Sequence, residues 1–549
     1  MAQNLMTPGV YIEEKNAFPG SVVEVATAIP AFIGYTETAS RNGKSLVNQP
    51  TRITSFADYL ALFGGPFLAK FDVKGPKSAS VPQEDGATEP DAEAAAPVDS
   101  SVEEPKGESF TIGTKEFSII YPDNNKLLFY NSIRLFYSNG GGTCYIVSVG
   151  TYKGKDSIEV DKDELEGGLL KLIKVQEPTI IVMPEAVILK EVSYDIYATI
   201  LRHCRKMQSR VGIFDIYDGY EERREGDDDD IITVFREKIG TENLSYGAAY
   251  YPWLNTSIVQ KGDVTYKNVK EWDKLIPQLS EKVTIEKFKA GFVKKHLSDK
   301  LAEIKPEEGT EAVPTDDQKK QFTDEYIEAN AKNYHLGLIA VSPSYASLMD
   351  ELRAKLNLLP ASAAMAGIYT MVDNGRGVWK APANVGLNSV VQPAVNITHD
   401  QQEDLNVNAI SGKSVNAIRT FQGVGTLVWG ARTLDGNSLD WKYINVRRTM
   451  IMLEQSIKLA LRAYVFEPND ANTWITVKSL IVNFLTEKWK QGALAGSSPE
   501  DAFDVQIGLG ATMTALDILE GKMLISVKLA IVRPAEFIVV TFEQQMQKS

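Results

Sequence analysis

The sequence predicts a multidomain protein of mixed α/β class, and three observations carry that expectation. Between residues 115 and 255, short β-branched and aromatic runs alternate with amphipathic stretches, the order that builds a partly parallel sheet covered by helices. After residue 440, two long helical patterns are followed by two strand patterns. The chain has 549 residues, too many for one compact core, and two stretches of altered composition interrupt it.

Taken in order, residues 1–25 hold little core material and contain Pro8, Gly9, Pro19 and Gly20, with Val10-Tyr11-Ile12 as a brief strand candidate. A terminal segment of this kind usually frays. Ala31-Phe32-Ile33-Gly34-Tyr35 reads as the first core strand. Ser55 is placed to cap a short helix carrying Phe56, Tyr59, Leu60 and Phe63, closed by Gly64-Gly65. Residues 74–107 are rich in Pro, Ala, Glu and Asp and hold no aromatic residue. Such a stretch buries too little apolar surface to offset chain entropy, so an exposed, flexible insertion is expected.

Further on, a helix over Ser132–Tyr137, a turn at Gly140-Gly141-Gly142 and a strand over Cys144–Val149 are predicted. Strands follow at Thr179–Met183, Val211–Ile216 and Tyr246–Leu254, with a helix over Tyr194–Met207 that places Ile196, Tyr197, Ile200, Leu201 and Cys204 on one side. Residues 257–335 are Lys/Glu-rich and mostly helical in pattern, and are expected to pack as a small cap. Ser344 then opens a helix with Tyr345, Leu348, Leu352 and Leu356.

The C-terminal part is the most regular. Met450, Leu453, Ile457, Leu461 and Tyr464 fall at spacings of three and four and share one helical face, with Arg448, Glu454, Gln455, Lys458 and Arg462 opposite. Pro468 ends this helix. Thr473 is a candidate N-cap for a second helix that buries Trp474, Val477, Leu480, Ile481, Phe484 and Leu485 and stops at Gly492. Phe503, Val505 and Ile507 alternate with polar neighbours as a strand. From Met523 to Val532 only Ser526 and Lys528 are not apolar, which predicts burial on both faces. A last apolar run, Phe537 to Phe542, follows Pro534 and has almost no chain left to pair with. It is either tied into a sheet of its own domain or added to the edge of a neighbour's sheet.

Composition narrows the function. Hydrophobic residues make up 44% and charged residues 24%, ordinary for a globular protein. The net charge of −14 argues against a nucleic-acid binder, which needs a basic field. Cys144 and Cys204 are no disulfide framework, which fits folding in a reducing cytoplasm. The opening MAQNLMTPGV lacks the pattern of a signal peptide, and no apolar run approaches the ~20 residues that cross a bilayer. Catalytic patterns are lacking too. Gly140-Gly141-Gly142 lies between a helix and a strand, the reverse of a phosphate loop, and Gly423-Val424-Gly425 reads as a turn. Asp227-Asp228-Asp229-Asp230 lacks the oxygen spacing of a Ca²⁺ loop. His203, His296, His335 and His399 are scattered outside any metal or triad frame. No catalytic, cofactor-binding or metal residue is assigned.

Several longer segments carry a resemblance. TPGVYIEE (7–14), SAAMAGIYTMVDNGRGVWKAPAN (362–384), NAIRTFQGVGTLVWGARTL (416–434), WKYINVRR (441–448), VFEPND (465–470), TEKWKQGALAG (486–496) and RPAEF (533–537) occur in one order and bracket nearly the whole chain. In these segments the chain resembles the contractile sheath proteins of phage tails and related injection machines. The resemblance implies a structural subunit, not an enzyme, that forms hexameric rings stacked helically around an inner tube protein. Baseplate and terminal cap proteins are implied as further partners, with no nucleic-acid contact and no membrane insertion. Assembly in the bacterial cytoplasm and release by lysis are implied as well.

It also implies a division into an N-terminal arm (1–25), the start of the core (26–73), the acidic insertion (74–107), an outer α/β domain (108–256), the helical insertion (257–335), a core domain beside the tube (336–532) and a C-terminal arm (533–549). The core's C-terminal sheet would take arm strands from neighbours. The arm residues would be Val10, Tyr11, Ile12, Phe537, Ile538, Val539, Val540, Thr541 and Phe542, with bends at Pro8, Gly9, Pro19, Gly20 and Pro534. Lys488 and Lys490 are candidates for the tube-facing surface, and Arg376 is expected to pair with a carboxylate. An extracellular injection particle is the favoured setting, a phage tail the first alternative, and a large α/β enzyme, for which no motif speaks, the second.

Overall fold

The computed structural model describes residues 22–75, 107–112, 115–303, 315–408 and 410–540. Most of the acidic insertion, together with Pro8, Gly9, Val10, Tyr11, Ile12, Pro19, Gly20, Thr541 and Phe542, lies outside the described residues.

Strand β1 (Pro30–Thr36) is buried along its whole length. A short hairpin of β2 (Ser40–Arg41) and β3 (Lys44–Ser45) leads to β4 (Thr51–Ile53) and then to helix α1 (Phe56–Phe63). The Ser55 side chain caps α1 by accepting the Asp58 N–H, and Gly64 ends it with φ of 82°. Strands β5 (Asp72–Lys74), β6 (Glu108–Ile112) and β7 (Lys115–Ile120) form a small antiparallel sheet in the order β5-β7-β6. The predicted α/β alternation follows as α2 (Phe129–Ser138), β8 (Cys144–Thr151), α3 (Lys162–Lys171), β9 (Ile180–Val182), α4 (Ser193–Met207), β10 (Val211–Asp215), α5 (Ile231–Lys238) and β11 (Gly247–Tyr251).

The strand expected over Tyr246–Leu254 is interrupted by a cis Tyr251–Pro252 bond, and β12 (Leu254–Thr256) enters a different sheet. Helices α6 (Trp272–Leu275), α7 (Lys282–Glu303), α8 (Asp316–Ala329), α9 (Ala331–Val341) and α10 (Pro343–Leu356) make the cap. Then come β13 (Leu358–Leu359), α11 (Ser362–Arg376), β14 (Val385–Gly386), β15 (Val390–Pro393), α12 (His399–Asn406), β16 (Asn416–Phe421) and β17 (Gly425–Val428). The C-terminal unit holds α13 (Ile444–Leu461), α14 (Ala471–Lys490), α15 (Pro499–Ala502), β18 (Phe503–Ile507), α16 (Ala515–Leu519) and β19 (Ile525–Leu529).

One nine-stranded sheet dominates, in the order β14-β17-β16-β11-β10-β9-β1-β8-β4. Its central strands from β16 to β8 pair in parallel, and the edge strands β4, β17 and β14 pair antiparallel. The all-buried strands β1, β9, β10 and β11 read as apolar runs because helices cover both faces. This sheet crosses the boundaries drawn from the sequence at 256 and 336. Its cluster runs from Ile29 to Ile451, joining the first core strand, the 108–256 region and the first part of 336–532. The parallel pairing of β11 with β16, Tyr250 opposite Asn416, makes that join, and no local pattern announces a pairing so distant in sequence. A second cluster fills the space between β5-β7-β6 and the cap and includes Leu348 and Leu352 of α10. A third belongs to the C-terminal unit, where Leu453, Val477, Ile481 and Leu485 are fully buried.

Two buried carboxylates fasten helices to this sheet. Glu185, just past β9, accepts backbone N–H bonds from Tyr35 at 2.9 Å and Phe129 at 3.3 Å, so the start of α2 is tied to β1. Asp215, at the end of β10, accepts the N–H of Ser362 at 2.8 Å and holds the start of α11. Burial pushes the Glu185 carboxyl up to about 8 and that of Asp215 to about 7.

Candidate subunit interface

The site is built on α13. Its apolar face is the one read from the sequence, and on the other side Glu454, Lys458 and Arg462 are exposed as expected, but the first turns of that side are not solvated. Arg447 and Arg448 are both buried. Arg448 donates to Asp373 Oδ1 at 3.0 Å and Oδ2 at 2.5 Å, donates to the Thr27 carbonyl at 3.1 Å, and lies 4.5 Å from the Tyr369 ring centre. Arg447 is held between the rings of Trp441 and Tyr246, at 3.8 and 4.2 Å, and donates to Ser245 Oγ at 2.7 Å. The placement of Arg448 on a polar face is therefore corrected: α13 is sandwiched between the large sheet unit and the C-terminal unit. Arg376, expected to pair with a carboxylate, is exposed, and Arg448 takes Asp373 instead.

Helix α14 begins at Asp470, whose carboxylate accepts the Thr473 N–H at 2.9 Å, so Asp470 and not Thr473 is the N-cap. It ends before Gly492, where φ is 86°. β18 packs on α14, and β19 pairs antiparallel with β18, Phe503 opposite Leu529 and Ile507 opposite Ile525. These two strands form a sheet of their own, so among the described residues the outer edge of β19 is unpaired. Beside it lies a recess of about 530 Å³, walled by Met450, Leu453, Ile457 and Leu461 of α13, Val465, and Val527 and Leu529 of β19, with Glu454, Lys458 and Arg462 also on its wall. The expected burial of 523–532 on both faces is corrected accordingly: β19 is half-buried along its length, with Lys528 exposed.

Near both ends of the described residues the chain is fastened next to this unit. At the N-terminal side, the Val25 N–H donates to Ser456 Oγ at 3.1 Å, and Glu24 pairs with Lys488. The Lys488 side chain is only 4% exposed and also donates to Gln491 Oε1 at 2.9 Å. A side chain so enclosed presents nothing to a tube, and that expectation for Lys488 is corrected. Lys490 is exposed. Residues 23–27, α13 and the first turns of α14 enclose a second recess, of about 990 Å³, against Thr179 and Val211 of the large unit.

At the C-terminal side, the chain leaves β19, bonds Ala495 through the Ala530 carbonyl at 2.7 Å and Ala493 through the Val532 N–H at 3.2 Å, and then reaches the large unit. There Glu536 accepts from Arg432 Nε at 2.9 Å and Nη2 at 2.6 Å, from Asn406 Nδ2 at 2.8 Å and from Tyr443 Oη at 3.1 Å. Burial alone would raise this carboxyl, but the Arg432 and Asn406 hydrogen bonds outweigh it and hold it below the usual carboxylate range. Past this anchor, Phe537, Ile538, Val539 and Val540 are 65–88% exposed and adopt neither helix nor strand. Pro534 lies inside the fixed stretch, so the free run starts at Phe537.

No chemistry converges here. Among the described residues, no group of three or more His, Cys, Asp or Glu is placed to hold a metal ion, and no helix is long and apolar enough to cross a membrane. His335 is a core residue bonded to Tyr345 Oη at 2.7 Å, and Asp230 of the acidic run caps α5 and pairs with Arg223 at 2.9 Å. Sequence reasoning missed the three ion pairs Glu24–Lys488, Asp373–Arg448 and Arg432–Glu536. The one available signal was a lone acidic residue, Glu536, in an otherwise apolar terminal run.

Residues 437–545 match the family model for the phage tail sheath C-terminal domain. The tail sheath protein of Salmonella phage ViI is 28% identical over 154 residues, 28% of this chain and 24% of that protein. A putative prophage major tail sheath protein of Pseudomonas aeruginosa (strain UCBPP-PA14) is 24% identical over 216 residues, 39% of this chain and 53% of that protein. The chain thus spans about half the length of these curated relatives or less. Among solved structures, the sheath complex of the PVC extracellular contractile injection system in its contracted state is 26% identical, with a TM-score of 0.56 over 99% of both chains. The contracted helical sheath of the anti-feeding prophage is 26% identical, with a TM-score of 0.55 over 98% of this chain and 99% of that one. Fold and similarity together point to one class, the contractile tail sheath proteins. Residues 437–545 match their C-terminal domain, and the chain is similar to injection-system sheaths over nearly its whole length.

Proposed function

We propose that this chain polymerises into hexameric rings stacked helically around an inner tube, and that the polymer shortens from a metastable extended state to drive the tube through a target envelope. One observation carries the reading: the same chain presents a bare strand edge beside an apolar helix face and a separate apolar run, Phe537–Val540, that its own fold leaves uncovered. A contact in which one copy lends a strand and the next accepts it is heterologous, and where its rotation does not close a ring it extends into a helix. Main-chain ladders make such a link strong and tolerant of side-chain change.

Contraction then needs no bond chemistry, only two packings of the same subunits that differ in free energy. Thr541 and Phe542 would extend the C-terminal strand. Val10, Tyr11 and Ile12 would lend a second one, with bends at Pro8, Gly9, Pro19 and Gly20. Lys490 stays as a tube-facing candidate, and the 74–107 and 257–335 insertions would face outward. Baseplate and terminal cap proteins complete the proposed partners, in a particle assembled in the bacterial cytoplasm and released by lysis.

Similarity over nearly the whole length of injection-system sheaths supports that setting over a phage tail. The phage-tail alternative draws on the curated relatives. Negative-stain microscopy of the purified full chain tests the reading: long striated tubes are expected, and removing everything after Glu536 should leave a folded subunit that does not polymerise. Long sheaths from that truncation would overturn strand donation. A full chain that stays monomeric with a defined ligand would favour the enzymatic alternative.

A further inference from the structure

Phe466 stands out within the C-terminal unit. Its ring is fully exposed, and its backbone has φ of 74°, in the left-handed region that residues with a β-carbon adopt at a cost. The turn that carries it is braced. The Glu467 N–H donates to the Tyr464 carbonyl at 3.3 Å, Asn469 Oδ1 accepts from Trp474 Nε1 at 2.7 Å, and Asn469 Nδ2 donates to the Lys522 carbonyl at 3.0 Å. A braced turn therefore holds an aromatic ring in solvent against its backbone preference, and among the described residues no contact offsets that. Its neighbours say where it stands. Val465 lines the recess between α13 and β19, and Glu467 lines the larger recess behind α13, so Phe466 sits on the rim between the two.

We propose that Phe466 is a clamp that closes over the Phe537–Val540 segment of a neighbouring copy once that segment lies along the free edge of β19. The inference rests on the strand-donation reading. A strand turns alternate side chains to opposite faces. Two of the four apolar residues would meet the α13 floor of Met450, Leu453 and Ile457, and the other two would stay wet unless something at the rim covered them. Phe466, exposed at that rim, is the side chain we assign to this cover, and packing over the strand would offset the strained turn. The neighbour's segment is the occupant because its four side chains are 65–88% exposed and lack a partner among the described residues of their own chain.

Phe466→Gly in the full-length chain tests the clamp. Glycine takes positive φ freely, so the isolated subunit should melt at or above the wild-type temperature. The concentration needed for sheath assembly should rise about 30-fold, the loss expected on removing a ~2 kcal/mol aromatic anchor at 1.36 kcal/mol per decade. A benzoylphenylalanine at position 466 should photo-crosslink to residues 537–540 of another copy. Capture of the tube protein or of the N-terminal segment instead would overturn the proposal, as would an unchanged assembly threshold for Phe466→Gly. The truncation after Glu536 separates the two ideas: if it assembles normally, strand donation itself fails, and if it does not assemble while Phe466→Gly does, only the clamp fails.

Discussion

The guanidinium of Arg432 grips the carboxylate of Glu536 through both Nε and Nη2, at 2.9 and 2.6 Å, across 104 positions of sequence. Arg432 is itself positioned by Asn416, whose Oδ1 accepts its N–H at 2.7 Å and whose Nδ2 donates to its carbonyl at 2.8 Å. Glu536→Gln should remove the charge-assisted part of this anchor and cost about 1.5–3 kcal/mol. Thermal melting of the isolated subunit, followed by an assembly assay, checks it. The expected pattern is a modest loss of stability and a larger loss of sheath yield.

The same anchor should respond to acid. Because the Glu536 carboxyl is held below its ordinary value, its contribution is present above the unfolded value of about 4.3 and is lost as pH falls through the lower folded value. Sheath yield should therefore drop below about pH 4, and Glu536→Gln should flatten that drop.

Glu185 and Asp215 work in the opposite direction. Their folded carboxyls are raised to about 8 and about 7, so the folded chain holds protons that the unfolded chain has released. Their contribution is fully present below about pH 4 and is lost as pH rises through 7 and 8. Chemical denaturation should show stability falling between pH 5 and pH 8, and Glu185→Gln should reduce the slope.

Asp373 and Arg448 form a pair whose side chains are 2% and 3% exposed. Removing one partner leaves a buried charge and should cost about 3–5 kcal/mol. Asp373→Asn and Arg448→Met are each expected to be strongly destabilising, while an Asp373→Leu/Arg448→Met double variant should recover part of the loss. Denaturant midpoints of all three decide this.

The two lysines near the end of α14 should separate cleanly. Lys488→Glu places a second acid beside Glu24 in a closed site and should destabilise the C-terminal unit. Lys490→Glu, on an exposed helix end, should stay within about 0.5 kcal/mol of wild type. A fall in tube-filled particles with the Lys490 variant alone would support its tube-facing role.

Local periodicity carried far in this chain and stopped where a second partner entered. Leu453 and Ile457 of α13 and Val477 and Ile481 of α14 lie where their spacing put them. Arg448 does not, since a helical pattern shows which face is apolar but not that another unit covers the first turns of the opposite face. Asp470 and Thr473 are both capping residues, three apart, and only the geometry says which one accepts from the other. The run from Met523 to Val532 is apolar enough for burial on both sides, yet β19 is only half-buried, since among the described residues it pairs with β18 alone and borders an open recess. The Glu536 anchor was illegible because its partner lies 104 residues upstream on another unit.

Where that anchor lands has a mechanical consequence. The terminal segment passes β19 and is made fast on Arg432, which is seated against β16 of the nine-stranded sheet. Tension applied to Phe537–Val540 enters the unit built on the nine-stranded sheet through the Glu536 anchor. The load path bypasses the two-stranded β18–β19 pair, the element least able to resist being peeled apart.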